Sequence, residues 1–600
     1  MTAPRTCWRA SLELFVPSLV WVLITGTVFS GFPLPWSVFA ATKPNPQKNA
    51  VAERSTARVA SDNYVGSSPC AQCHADIYES FQRTRMGRSI VVATPALLGN
   101  LKVPASLFNQ GLDRHFAVFE RQGSLFESEF QIAPNGEDVF RNSQEVKWVV
   151  GAGANGYSAL IQRGQYLFEA PLSYFTKLGE WQPSPGYETS DNGFNRPVLA
   201  GCISCHSGRA NPADEMTGKF EAAPFSQMAI GCENCHGPGG SHVRAMTAND
   251  TRHGTRIVNP RKLSSDLEND ICMSCHEAGN ARVLRPGKTY QDFRPGTPLD
   301  NTWSILSVPL QRSDPDNKDH VQHYLEMSMS RCFRASSGQL RCATCHDPHE
   351  EPTLEEAPAY FNGKCVSCHA SRACKLPIES RRKTSPADNC IGCHMPQRAA
   401  TETAHTSLTN HRILAQPGEP WPDEAFEQTT RALPDLVHIN RVAGTEDELP
   451  SLTLLEAYRE IAERRPEYKE AYEKTLAGLE QSDPDVFPVQ LALGKRDLAN
   501  GETQNAIHHL QRATALDPKQ ASGYAALAQA LAQADQIDQA IAASQKAVSL
   551  EPYNALSQKA LIDQLIAAKR YDKATAAMEH YLELFPEDGF MRRMLEIAKQ

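Results

Sequence analysis

Fourteen of the seventeen cysteines stand in seven C-x-x-C units, and each unit is followed at once by histidine. They are Cys70/Cys73/His74, Cys202/Cys205/His206, Cys232/Cys235/His236, Cys272/Cys275/His276, Cys342/Cys345/His346, Cys365/Cys368/His369 and Cys390/Cys393/His394. Histidine is only 19 of 600 residues, so seven matches in seven are not chance. C-x-x-C-H is the attachment signal for c-type haem. Two thiols add to the two vinyl groups of one porphyrin, and the next residue brings its imidazole beneath the iron. Zinc ribbons also use C-x-x-C, but they pair two units per metal and do not demand a histidine next. Thioredoxin-like sites use the motif once, near a βαβ pattern. The spacing therefore predicts seven covalently attached haem c groups, held by these fourteen cysteines, with the seven histidines on iron.

Each iron has a second axial position. Outside the motifs, the stretch up to Arg412 holds His115, His242, His253, His320, His323, His349, His405 and His411. Eight spare histidines beside seven motifs predict mostly bis-histidine ligation, as in low-spin electron carriers. Any single one can instead be an ordinary surface or core histidine. His242, His349, His405 and His411 are the candidate ligands. His242 follows Cys235-His236-Gly-Pro-Gly-Gly-Ser and can turn back onto a neighbouring haem. His349, in His346-Asp-Pro-His349, is too close to reach the far side of its own iron. His405 and His411 follow the last motif at a workable reach. Met86 can offer a thioether or simply fill a gap.

The elements that position these residues divide the chain. Motif histidines are separated by 132, 30, 40, 70, 23 and 25 residues. Segments that short cannot build apolar cores of their own, so haem faces are expected to supply much of the interior. The long first gap alternates as strands, giving a β-rich insertion at about 100–195. It contains Gly151-Ala-Gly153-Ala-Asn-Gly156, a literal G-x-G-x-x-G, but no helix pattern follows. A glycine-rich hairpin is expected there rather than a dinucleotide site. Residues 413–450 read as a linker rich in Pro, Glu and Asp. Beyond it Pro484, Pro518, Pro552 and Pro586 recur every 34 residues, as do Ala506, Ala540 and Ala574. That period and the small residues predict tetratricopeptide (TPR) repeats over 451–600: three clear ones at 487–588, a degenerate one before them and a capping helix after. Such an array either docks a peptide or protein, or packs on the haem domain. The fold class expected is α+β: a haem-packed, mainly helical and irregular domain (63–412) with the β-rich insertion, followed by an all-α TPR solenoid.

Formal charge is −9, with 60 Lys+Arg against 69 Asp+Glu, which argues against a nucleic-acid footprint. Arg5 and Arg9, an apolar run from Leu14 to Phe29 and small residues to Ala40 have the layout of a secretory signal (1–40), with a linker at 41–62. The alternative is an uncleaved membrane anchor, the one route by which a membrane becomes a partner. The chain is expected to be periplasmic or secreted. Cys332 and Cys374 belong to no motif, and export permits a disulfide between them.

Cys232-Glu-Asn-Cys-His-Gly-Pro-Gly-Gly-Ser-His242, Cys342-Ala-Thr-Cys-His-Asp-Pro-His349 and Cys390-Ile-Gly-Cys-His-Met-Pro396 resemble motifs of the cytochrome c-554, hydroxylamine oxidoreductase and pentahaem nitrite reductase superfamily. The resemblance runs from about Tyr64 to Arg412 and is strongest for c-554-type multihaem cytochromes fused to TPR repeats. It implies haems in stacked pairs and electron transfer in the periplasm. The nitrite reductases carry a lysine-ligated catalytic haem, and no C-x-x-C-K occurs here; Ser371-Arg-Ala-Cys374-Lys375 lacks the first thiol. The oxidoreductase's haem-linked tyrosine has no assignable counterpart. These departures favour an electron carrier serving redox partner proteins. The alternative is an oxidoreductase acting on a small nitrogen or sulfur compound at one open-coordinate haem.

Overall fold

The structure is a computed structural model and describes residues 64–99, 101–187, 192–214, 216–250, 256–313, 323–369, 374–397 and 409–600. The chain divides into Met1–Ser61 and Asp62–Gln600, and everything below belongs to the second part. The expected signal and the linker at 41–62, and also His253, His320 and His405, lie outside the described residues. No helix among the described residues is long and apolar enough to cross a membrane.

The first long gap forms a nine-stranded sheet: β1 (Ile90–Val92), β2 (Ala105–Asn109), β3 (Arg114–Arg121), β4 (Ser124–Ile132), β5 (Asp138–Val150), β6 (Gly156–Arg163), β7 (Tyr166–Phe175), β8 (Glu180–Pro183) and β9 (Arg196–Pro197). Strands β2 to β8 follow in order, with β1 on β5 and β9 on β7. The sheet thus extends slightly beyond 100–195 at both ends. Alternation places Phe116, Val118 and Leu125 in one core with Phe168 and Trp181. On the other face Ile90, Leu160 and Leu167 pack with Ile203 of the second motif. Gly151 and Gly153 turn the chain between β5 and β6 at φ of +106° and +79°. A Cβ on Gly153 would come within 2.5 Å of the Tyr157 hydroxyl. The G-x-G-x-x-G is therefore a hairpin turn, and strand β6 follows it where a dinucleotide site needs a helix.

Two smaller sheets were not legible in advance. Strands β10 (Ser207–Pro212) and β11 (Phe220–Ala229) form a hairpin whose register pairs Ser207 with Ala229. That pairing brings the second and third motifs side by side. Strands β12 (Ala281–Leu284), β13 (Trp303–Ser307) and β14 (Val437–His438) form the other sheet. Strand β14 comes from 413–450, so this segment is not a free connector. His438 is buried there, with Nδ1 on Asp447 at 2.8 Å and Nε2 on Asp300 at 2.9 Å.

Nine helices, from Ser451–Ala462 to Gly589–Ala598, form the C-terminal array. Ala506, Ala540 and Ala574 are buried where helices touch. Gly501, Asp535 and Lys569 recur every 34 residues with φ of +80°, +58° and +57°, turning the chain after a helix in each repeat. Both ends of the array are anchored. Ala457, Tyr458 and Ile461 of the first helix pack on Ala281, Val283 and Leu306. Near the other end the Tyr553 ring meets Phe168 at 5.0 Å and Tyr166 at 5.2 Å. The Arg163 guanidinium lies between Phe168 and Tyr553, at 4.3 and 4.4 Å. Of the two roles expected for the array, packing on the rest of the molecule is thus realised in the fold. Tyr553→Ala is expected to destabilise the chain by about 3 kcal/mol and to raise amide exchange over 545–600. Unchanged protection there would refute the anchoring.

Candidate functional site

Most motifs sit at helical starts and ends because the chemistry requires it. Residues three and four apart share a helix face, so both thiols and the following imidazole point the same way. Cys232–His236 and Cys390–His394 are one-turn helices, while His276 and His369 close the helices Ser265–His276 and Ala357–His369. Ser264 caps one by accepting from the Leu267 N–H, and Asn389 caps another through the Gly392 N–H.

Motifs are also tied to one another. The N–H of Cys232 donates to Ser67 Oγ at 3.1 Å, that of Cys342 to Asn269 Oδ1 at 3.0 Å, and that of Cys390 to Asn362 Oδ1 at 3.1 Å. Ser67, Asn269 and Asn362 each stand three residues ahead of a motif's first cysteine: Cys70, Cys272 and Cys365. One hydrogen bond thus recurs three times, joining the first motif to the third, the fourth to the fifth and the sixth to the seventh. Cysteine neighbours follow the same pairing. Cys70 hydrogen-bonds Cys232, Cys272 bonds Cys342, and Cys365 feels the charge of Cys390. The bond from Cys70 lowers the Cys232 thiol to about 6. Further contacts link the pairs: Cys235 with Cys272, and Cys345 with Cys365. The second motif joins the fourth through Cys205 and Cys275.

Six of the seven units contribute cysteines to the wall of one cavity of about 3700 Å³. The first motif departs from the expectation that haem-binding thiols build the interior. Cys73 is exposed and is not part of the cavity wall, and neither are Cys70 and His74. Cys202, Cys368 and Cys393 are exposed too, but they do line it. The reason is local. Cys73 ends the 3-10 turn Ser68–Gln72, its N–H donating to the Cys70 carbonyl at 3.2 Å. The helix that follows, Ala75–Arg83, buries only Phe81, so no core closes over the turn. Ser67 and Met86, on either side of the motif, are what reach the cavity from this segment.

Imidazoles face one another across short gaps. His74 and His242 have ring centres 6.5 Å apart and planes within 18°. His236 and His349 are 6.1 Å apart, His346 and His411 6.4 Å, His276 and His323 5.7 Å. A metal–imidazole bond is about 2 Å, so two imidazoles on one iron have centres roughly 6 Å apart. The ring nitrogens are sorted for that task. Nδ1 of His236 meets the Val258 carbonyl at 2.8 Å, and Nδ1 of His394 meets that of Leu414 at 2.5 Å. Nδ1–H given to a carbonyl leaves Nε2 as the ligand. Burial pushes the pKa of His236, His276 and His346 down. His323 falls to about 3, through burial and then its neighbours His411 and His276. Neutral imidazole is the form that binds metal. The donor set and the spacing fit haem.

Of the expected distal ligands, His242, His349 and His411 each stand opposite a motif histidine from another unit. His323, present in the pool but without a local signal of its own, stands opposite His276. His115 does not reach a motif: it stacks between Phe108 and Phe130 on the sheet, at 4.6 and 5.3 Å. Met86 lines the cavity on a short 3-10 turn. Cys332 and Cys374 are free thiols, so the permitted disulfide is not formed. Among the described residues no three His, Cys, Asp or Glu side chains gather around one point as at a zinc site.

The chain matches no protein-family model. Multiheme cytochrome MtrA of Shewanella baltica (strain OS185) is 24% identical over 179 residues, 28% of this chain and 52% of that protein. The match thus spans about half the length of that relative. Over this part the chain is similar to a multihaem cytochrome, which supports haem as cofactor. Solved structures similar to part of the chain include the crystal structure of MamA (24% identical, 23% of this chain, 81% of that chain, TM-score 0.22). Another is the Arabidopsis OM64 TPR domain (19% identical, 19% of this chain, 94% of that chain, TM-score 0.18). The helical array rests on its own period and packing, not on these likenesses.

Asn269 is fully buried. Asn269→Ala leaves the Cys342 N–H without its acceptor and is expected to cost about 1–3 kcal/mol, read as a lowered denaturation midpoint. Gln339→Ala, three residues ahead of Cys342 but part of no brace, is expected to change it little. Equal effects from the two would remove the special role of the brace.

Proposed function

We propose that this chain is an exported multihaem c-type cytochrome of the cytochrome c-554, hydroxylamine oxidoreductase and pentahaem nitrite reductase superfamily, carrying seven haem c groups and passing electrons between redox partner proteins. It works in the periplasm or outside the cell. The observation that carries the reading is the continuous file of touching motifs: first, third, fourth, fifth, sixth and seventh, with the second attached at the fourth. When bound, haem iron supplies one-electron transfer between ferric and ferrous states. The chain's residues do the rest. Paired thiols hold each porphyrin edge against the next, so steps between neighbours are short. His242, His323, His349 and His411 close the second axial position opposite His74, His276, His236 and His346. That leaves no open site at those four and favours a carrier over a catalyst. The cavity walls hold water away, which fixes the potentials by burial and ligand type. At the first motif Cys73 leaves one edge open to solvent, which suits an end of the file where electrons enter or leave. The array's free surface docks a protein partner.

Mass spectrometry of the purified holoprotein is expected to give the chain plus seven tetrapyrroles. Cys390→Ser with Cys393→Ser should reduce this to six. No added tetrapyrrole in the wild type would end the proposal. In the oxidised protein, iron signals are expected to be low-spin and insensitive to nitrite, hydroxylamine or cyanide. A high-spin signal displaced by one of these would favour the oxidoreductase instead.

A further inference from the structure

Arg282 on β12 points its guanidinium at the second motif. Nη1 meets Cys205 Sγ at 2.8 Å. The Trp303 and Tyr290 rings flank it at 4.4 and 5.5 Å. Its Nε is buried without an acceptor. Among the described residues no carboxylate pairs with this guanidinium. Glu460, reaching in from helix Ser451–Ala462, meets the Arg282 main chain rather than its side chain. Arginine stays charged in such a place. A cation enclosed by aromatic rings and paired only with sulfur is uncommon, because burial of an unpaired charge is unfavourable by several kcal/mol. Once Cys205 is a thioether, its sulfur is neutral and accepts only weakly. The positive charge then stands at the porphyrin edge with nothing from the chain to cancel it.

We propose that Arg282 raises the reduction potential of the haem carried by Cys202, Cys205 and His206, and makes that haem the place where electrons collect. This rests on the covalent-haem reading above. Reduction adds one electron to the iron. A fixed cation in a low-dielectric surrounding stabilises the electron-richer state. The electron comes from the haem on the fourth motif, which is oxidised in the same step; no bond forms or breaks. The position suits storage, because the second motif is joined to the file through Cys205 and Cys275. It is a side branch, so a high potential there does not block the main path.

The test uses the full-length holoprotein and its variants Arg282→Gln, Arg282→Met and Arg282→Lys. Haem content is counted by mass, and the haems are titrated by spectroelectrochemistry. With unchanged haem content, the Gln and Met variants are expected to move one component to lower potential and leave the others in place. The Lys variant should titrate close to wild type. Superimposable titrations of wild type and the fully loaded neutral variants would overturn the proposal. Loss of one haem in both neutral variants would also overturn it, by making Arg282 a packing contact. A wild-type protein without haem would instead sink the underlying reading and leave the Arg282 geometry unexplained.

Discussion

The site depends on one hydrogen bond used three times. The first N–H groups of a helix have no partner within it. At Cys232, Cys342 and Cys390 the partner is a side chain from a different motif: Ser67, Asn269 or Asn362. Capping a short helix and setting the register between two motifs are therefore the same act. Because each acceptor stands three residues ahead of its own motif's first cysteine, the two first cysteines of a pair are drawn together. A porphyrin attached at one is then placed against a porphyrin attached at the other. Segments of 23 to 40 residues between motif histidines have few other means of holding such a register.

Histidine chemistry separates the structural from the functional in the same molecule. His438 spends both ring nitrogens on carboxylates, Asp447 and Asp300. It locks β14 against β13 and has nothing left to give a metal. His236 and His394 spend only Nδ1, on carbonyl oxygens, and keep Nε2. Burial keeps their neighbours uncharged, so a lone pair rather than a proton faces the partner imidazole. The residue type is the same, and the neighbours decide its use.

The helical array belongs to this frame as well. Its first helix covers the small sheet that carries Arg282 and Trp303, and its later repeats seat on the large sheet through Tyr553. Glu460 of that first helix lines the haem cavity. The array therefore helps to enclose the cavity as well as presenting a surface outward. A change in the repeats can reach the motifs through packing, without any contact between a partner and a haem.

The motif cysteines and histidines, the 34-residue repeat and the glycine hairpin were legible in the sequence because each is a local rule. Two residues between thiols, one small residue per helix contact and glycine at a positive φ are all set within a few positions along the chain. His349 and His242 were partly legible, since their short distance from one motif forbade that iron and required another. His323, the three braces, the pairing of β14 with β13 and the place of Arg282 were not. Each is a meeting of segments far apart in the chain; Val437 and Ser307, for example, pair across the whole of the last three motifs. The exposure of Cys73 was not legible either, because its motif reads like the other six and only the absence of packing over its turn sets it apart. Composition made 413–450 look like a linker because a covering segment and a free one use the same Pro and acidic residues. The sequence by itself determined which atoms can bind porphyrin and iron, since that is settled by bond geometry over five residues. Only the tertiary structure decided which motif lies beside which and which imidazole faces which, since those are settled by long-range packing and by hydrogen bonds between distant segments.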